Sequence, residues 1–311
     1  MHAILRSLIV AIGLGLFAAI CSHAAASVVL VSSERSPAYI EAVEALVGEL
    51  ERAGLLRSDV LQLMASEVAS VGALAPKIYV ALGSEAADVL AKTEQKVPVL
   101  CILLPRSSFE RVLQGNGRKT SAQFSAVFLD QPIARQLDFI HLALPAVQQV
   151  GVLWGPESQS QAAAMKILAQ ASGLEVVDAT VGRDQLAFSS LKQVLEKSDV
   201  LLAVADPQVY NSSSIQNILL ASFRAKVPMV AFSPAYVRAG ALLALYVTPS
   251  QVGQQAAVIA RGVLQGKALS ATPLYSQDFS ISVNEHVARS LGLSLDAESL
   301  RTRLRRREGA P

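Results

Sequence analysis

Side chains that commonly carry chemistry are sparse in this chain. Of its four histidines, His2 and His23 stand near the start, His141 lies in an apolar helical stretch and His286 near the far end. No H-x-x-x-H or C-x-x-C spacing occurs, so a zinc site or a histidine base lacks its usual setting. A G-x-S-x-G elbow is absent, and Gly115-Asn116-Gly117-Arg118-Lys119-Thr120 lacks the G-x-x-x-x-G-K-[ST] order of a phosphate loop. No metal or cofactor is expected. Carboxylate-only chemistry, as in glycoside hydrolysis, stays open because two acids can meet from distant positions, and Asp206 is its test residue. Catalysis is not the expectation.

Small or polar residues directly follow short apolar runs: Ser32-Ser33-Glu34, Gly83-Ser84, Pro105-Arg106-Ser107, Gly155-Pro156-Glu157-Ser158, Asp206-Pro207 and Ser233-Pro234. Open parallel sheets hold ligands at the carboxyl ends of their strands, so these positions converge on a binding site if the runs are strands. The candidate ligand contacts are Ser32, Ser84, Arg106, Trp154, Ser158, Asp206, Tyr210, Ser233 and Tyr236. At Gly83-Ser84 a helix start offers free N–H groups to an anionic group, although Ser84 also reads as a simple helix cap. Asp206 suits an ammonium group or, equally, a turn before Pro207. Trp154, Tyr210, Tyr236 and Tyr246 supply flat apolar walls with a polar edge, or belong to the core.

The elements that must position these residues alternate in type. Strand candidates fall at 28–31, 78–82, 99–104, 150–154, 174–177, 200–204, 229–232 and 242–247. Helix-period segments separate them, as in a parallel sheet covered on both faces. After the first run, Ser36-Pro37 opens a helix carrying Ile40, Val43, Leu46, Val47 and Leu50 on one side, and Gly54 stops it. A second cycle starts at Val150 and echoes the spacing of the first, which predicts two Rossmann-like α/β lobes. The polar stretch 113–123 reads as a lobe boundary or an exposed turn.

The chain has 311 residues, 52% hydrophobic and 17% charged, with a formal charge of +2 and a mean hydropathy of +0.40. That excludes a disordered chain, and the small net charge gives no reason to expect nucleic acid as partner. Residues 1–26 read as a cleavable export signal: Arg6, an apolar run from Leu8 to Ile20, then Ala24-Ala25-Ala26. The expected location is the periplasm, with no membrane span after cleavage. Cys21 invites a lipid anchor, against which stands Ile20, where a small residue is required. Cys101, inside an apolar run, reads as a buried thiol. The segment from Arg301 to Arg307 carries five arginines and reads as a solvated end or as an attachment to an anionic surface.

The second half carries a more specific pattern. Leu144-Pro145 precedes Val150-Gly151-Val152-Leu153-Trp154 with Pro156 and Ser158. Val227-Pro228, Val237, Gly240-Ala241-Leu242, Val252-Gly253-Gln254-Gln255-Ala256, Leu264-Gln265-Gly266-Lys267, Asn284, Ala288 and Leu291-Gly292-Leu293 follow in order. This resembles the substrate-binding proteins of bacterial ABC transporters, in the class that includes tryptophan and tyrosine binders, with a periplasmic-binding-protein type I fold. The resemblance implies two lobes joined near Leu129, Val247 and Thr272 around a hinged cleft. The first lobe would comprise 27–128 plus 248–271, including the helix after Pro249, and the second 129–247 plus 272–311. Ser84, Ser158 and Asp206 would contact the solute, with Ser233 and Tyr236 flanking it. Members of that class commonly carry an acid and a proline after the fourth strand and then a P-G-G-N-x-T-G turn. Here stand Pro105-Arg106-Ser107-Ser108 and the segment 114–120, which implies a changed pocket. Arg106 would favour an anionic solute, unless it is a solvated loop charge. The expected function is capture of a small polar or amino-acid-like solute by lobe closure, with an ABC permease in the inner membrane as partner. The alternatives are a sensing module acting on a receptor kinase or an outer-membrane receptor, and an exported carboxylate-dependent enzyme.

Overall fold

The computed structural model describes residues 26–71, 74–93, 96–182 and 187–309. The leader expected over 1–26, with Cys21, lies outside them up to residue 25. Runs of aliphatic residues long enough for a strand but too short for a helix alternate with amphipathic segments, and each becomes the element its period dictates. The first lobe contains β1 (Val28–Ser32), α1 (Pro37–Arg52), β2 (Val60–Met64), β3 (Ile78–Leu82), α2 (Ser84–Lys92), β4 (Val99–Leu104), α3 (Arg106–Gly115) and β5 (Phe124–Phe128). The chain then enters the second lobe with α4 (Ile133–Ala143), β6 (Gln149–Trp154), α5 (Ala162–Ala171), β7 (Glu175–Thr180) and α6 (Ala187–Leu195). There follow β8 (Val200–Leu202), α7 (Ile215–Ala225), β9 (Met229–Ala231), α8 (Pro234–Ala239) and β10 (Leu243–Tyr246). Helix α9 (Pro249–Leu264) and β11 (Leu274–Tyr275) return to the first lobe. Strand β12 (Ser280–Val283), α10 (Glu285–Ser290) and α11 (Ala297–Arg307) complete the second.

The two six-stranded sheets have equivalent orders, β11-β5-β4-β3-β1-β2 and β12-β10-β9-β8-β6-β7. All neighbours are parallel except β10 and β12. The inner strands of each sheet are buried on both faces. Val28 and Leu30 pack with Leu46 of α1 and Ala256 of α9, whereas Val29 and Val31 face Leu90 of α2 and Phe109 of α3. Continuous rather than alternating apolar strands follow directly from this double coverage. Each fully buried Leu or Val contributes about 1.5–3 kcal/mol. Helices α1 and α9 approach so closely that a Cβ on Gly253 would stand 2.3 Å from the Ala42 carbonyl oxygen.

Three crossings join the lobes. The first is the connection from β5 to α4 through Leu129, Asp130 and Gln131, and the second is that from β10 to α9 through Val247 and Thr248. At the second, Thr248 Oγ1 accepts the Gln251 N–H at 3.1 Å and Gln251 Oε1 accepts the Thr248 N–H at 2.8 Å, a reciprocal cap that fixes the start of α9. The third follows Tyr275, a few residues past Thr272, because Leu274 and Tyr275 still pair with Val127 and Phe128 at the edge of the first sheet. A two-residue strand shows no period in sequence. The polar stretch 113–123 is a turn inside the first lobe, not a lobe boundary: Arg118 reaches the carbonyls of Ala91 and Thr93, and Asn116 reaches Asp88.

The arginine-rich segment is α11, and several of its arginines have specific partners. Arg301 and Arg305 both hold Asp278 on the third crossing. Arg307 pairs with Asp138 at 2.6 Å, and the guanidiniums of Arg305 and Arg135 lie over the Phe279 ring. Among the described residues no helix is long and apolar enough to cross a membrane.

Candidate functional site

A cavity of about 350 Å³ opens between the lobes. Its walls are the carboxyl ends of β8, β9 and β10, the first crossing and Pro105 of the first lobe. Phe139, Leu202, Val204, Val230, Phe232, Leu245 and Val247 make most of the lining apolar, and Gln136, Gln161 and Ser233 add neutral polar groups.

The first crossing supplies the remaining polarity. Asp130 lines the cavity and its Oδ2 accepts the Arg106 N–H, so the carboxyl caps the amino end of α3. Burial pushes its pKa above the usual carboxylate range, against the pull of the Arg106 N–H and guanidinium. Gln131 is only 5% exposed. Its Oε1 accepts from Arg135 Nη1 at 2.9 Å, and its Nε2 has no hydrogen-bond partner.

Strand β4 reaches the cavity through an irregularity. Its register with β5 shifts between Cys101 and Leu104, and Leu103 adopts φ 55°. Both Ile102 and Leu103 consequently face α1 and α9, while Leu104 faces α2 and α3. The bulge carries the strand into Pro105 at the cavity wall. Burial also pushes the Cys101 thiol well up, which leaves it an inert core residue.

Of the expected contacts, Ser233 lines this cavity and also caps α8, its Oγ accepting the Ala235 N–H at 3.3 Å. Tyr236 and Tyr210 back the wall, since Phe232 stacks edge-on between them with centroids 5.1 and 6.2 Å away. The Tyr210 hydroxyl is buried without a hydrogen-bond partner, and burial raises its pKa far above the usual phenol range.

Asp206 is 1% exposed and its carboxylate is engaged. Oδ2 accepts the Glu157 N–H at 3.0 Å, the Ser158 N–H at 2.9 Å and Ser158 Oγ at 2.9 Å, and Oδ1 accepts the Gln208 N–H at 2.9 Å. A Cβ on Gly155 would sit 2.4 Å from Asp206 Oδ1, so glycine there permits the close approach. In this geometry Asp206 and Ser158 fasten the 155–158 turn and do not face the cavity. Trp154 is core: its Nε1–H donates to Asp178 at 2.8 Å, and Asp178 pairs with Lys166.

The first-lobe candidates also lie off the cavity. Ser32 lines a separate groove with Glu34, Arg35 and Tyr39. Ser84 is the first residue of α2 and does not cap it; Ser33 does, its Oγ accepting the Ala86 N–H at 2.9 Å and donating to the Leu82 carbonyl. The Arg106 guanidinium turns to Glu110 at 2.7 Å and the Tyr275 hydroxyl at 3.5 Å and is not part of the cavity lining. Sequence reasoning missed Asp130, Gln131, Gln136 and Gln161. Asp130 and Gln131 follow β5 and obey the strand-end rule, but β5 itself had not been recognised.

Known proteins share this fold. A family profile described as ABC transporter substrate binding protein matches residues 58–303. The tyrosine-binding protein of Clostridioides difficile is 23% identical over 174 residues, 54% of this chain and 50% of the relative, so the chain spans about half the length of the curated relative it matches. A ligand-free, open substrate binding protein with adhesive properties from Clostridium difficile superposes with a TM-score of 0.69 at 20% identity, covering 86% of this chain and 95% of the other. A conserved domain protein from Vibrio cholerae gives 0.62 at 20% identity over 90% and 98%. An ABC domain in complex with L-Trp from Streptococcus pneumoniae gives 0.59 at 18% identity over 88% and 97%. At these identities the likeness establishes the fold.

Proposed function

Since the chain belongs to the ABC transporter substrate-binding protein family and has the periplasmic-binding-protein type I fold, we propose that it is exported, captures a small polar or amino-acid-like solute by closing its lobes, and delivers it to an ABC permease in the inner membrane. This family consists of solute binders, not enzymes. One observation carries the reading: the cavity is walled by strand ends of the second lobe, by the crossing residues Leu129, Asp130 and Gln131, and by Pro105 of the first lobe. Rotation of one lobe against the other about the crossings changes this volume, so filling it is coupled to closure. The bound and empty states then present different surfaces to a membrane partner.

The test is isothermal titration of the purified protein against amino acids, small organic acids, amines and purines, with small-angle scattering alongside. Binding accompanied by a decrease in radius of gyration is expected. Absence of binding throughout the panel, together with an unchanged scattering profile, counts decisively against the proposal. Export is tested separately, by sequencing the amino terminus of the protein recovered from the periplasm.

A further inference from the structure

The composition of the cavity narrows the solute. Asp130 is the one charged side chain among the described residues lining it; the others are apolar, or neutral amides and one hydroxyl. No cation lines the cavity: Arg106, whose charge is felt at Asp130, is paired with Glu110, Arg111 with Glu157, and Arg135, which holds Gln131 Oε1, with Glu308. A free carboxylate entering this space leaves water without a cationic partner and comes to lie near Asp130, two unfavourable terms in a low-dielectric site. An ammonium group finds a counter-charge. Gln131 adds an independent indication: its Nε2 is a buried donor without an acceptor in a residue that lines the cavity. An orphaned donor of this kind is costly unless something accepts from it.

Resting on the reading of the cavity as the solute site, we propose that it takes a compact apolar amine whose second polar group is a neutral oxygen acceptor, an amide, ester or hydroxyl oxygen, and not a free carboxylate. Asp130 pairs with the ammonium and Gln131 Nε2 donates to the oxygen. Phe232 and the aliphatic walls cover the apolar body. Burial of the Asp130 carboxyl adds to the preference for a cation, since an arriving ammonium relieves the cost of ionising it.

Four probes of one skeleton separate the terms in calorimetric titration of the full chain: L-phenylalaninamide, 2-phenylethylamine, L-phenylalanine and 3-phenylpropionate. The amide is expected to bind at least about tenfold more tightly than the amino acid, a difference of about 1.4 kcal/mol, and the propionate not to bind. D130N is expected to lower amide affinity about tenfold or more with an unchanged circular dichroism spectrum. Q131L is expected to bring the amide down to the affinity of 2-phenylethylamine, which has no oxygen to lose, and to leave that amine unchanged. Equal or tighter binding of L-phenylalanine or of the propionate overturns the proposal but leaves the solute-receptor reading standing. If none of the four binds, the proposal fails, and the broader solute panel with scattering then decides the receptor reading independently.

Discussion

Arg111 on α3 of the first lobe forms an ion pair with Glu157 in the 155–158 turn of the second. Among the described residues it is the ion pair that joins the two lobes away from the crossings. Glu157 does not reach across on a loose loop. Its own N–H is held by Asp206, and the neighbouring Ser158 is held twice by the same carboxylate. A charge on the first lobe thus meets one set firmly by the strand ends of the second, so opening the cleft has to separate them.

The pair is half in water, with 58% of the Arg111 side chain and 20% of that of Glu157 exposed, so it contributes about 0.2–1 kcal/mol. R111A or E157Q is therefore expected to weaken solute binding by a modest factor, at most about fivefold. The free protein shifts toward a larger radius of gyration. Raising salt weakens binding more in the parent than in the variants. Identical salt dependence in parent and variant would sink this role.

Gly253 decides how α9 seats on the first lobe. A side chain there meets a backbone oxygen, that of Ala42, which cannot rotate aside. G253A is expected to cost about 1–3 kcal/mol by forcing the helices apart, read as a lower denaturation midpoint at constant slope. Because α9 follows directly on the second crossing, altered solute affinity should accompany the loss. G48A in α1, where an added Cβ meets nothing within 4 Å, is the control and is expected to be neutral or mildly stabilising.

The two lobes were legible in the sequence because buried parallel strands leave an unbroken apolar run, as in Val99 to Leu104. Strands without that mark escaped. In β2 every residue is at least partly exposed, β5 places Ser125 in its interior, and β11 has two residues. Losing β5 hid Asp130 and Gln131, which decide the polarity of the cavity. Conversely, the strand-end rule picked out Asp206, but it does not say whether a carboxylate faces the cleft or the adjacent loop. Four donors from the chain itself decided that, and their convergence depends on the close approach at Gly155.

If Asp206 fastens the turn, its removal is a stability event before it is a binding event. D206A strands the N–H groups of Glu157 and Ser158 and is expected to destabilise the protein by about 3 kcal/mol or more, with solute affinity falling through disorder of the turn. D206N keeps one acceptor and should lose less. Chemical denaturation measures both. An Asp206 variant that unfolds like the parent yet no longer binds would return this residue to direct contact with solute.

Asp130 gives the opposite signature. Its pKa is raised by burial, with the Arg106 guanidinium and Glu110 the charged groups beside it. The folded, empty protein therefore keeps this proton at pH values where the unfolded chain has released it. The stability it contributes is fully present below about pH 3.9, the ordinary carboxyl value, and is lost as pH rises through the folded value. Ligand-free D130N cannot ionise and is expected to melt at or above the parent near pH 7, the two converging toward about pH 4. Amine binding needs the ionised form, so affinity of the parent for L-phenylalaninamide should fall as pH drops through the same range, with proton release detectable by titration in buffers of different ionisation enthalpy. A D130N variant that melts below the parent at neutral pH, or an affinity indifferent to acid, would show that the carboxylate is held in place by the fold and not poised for a cation.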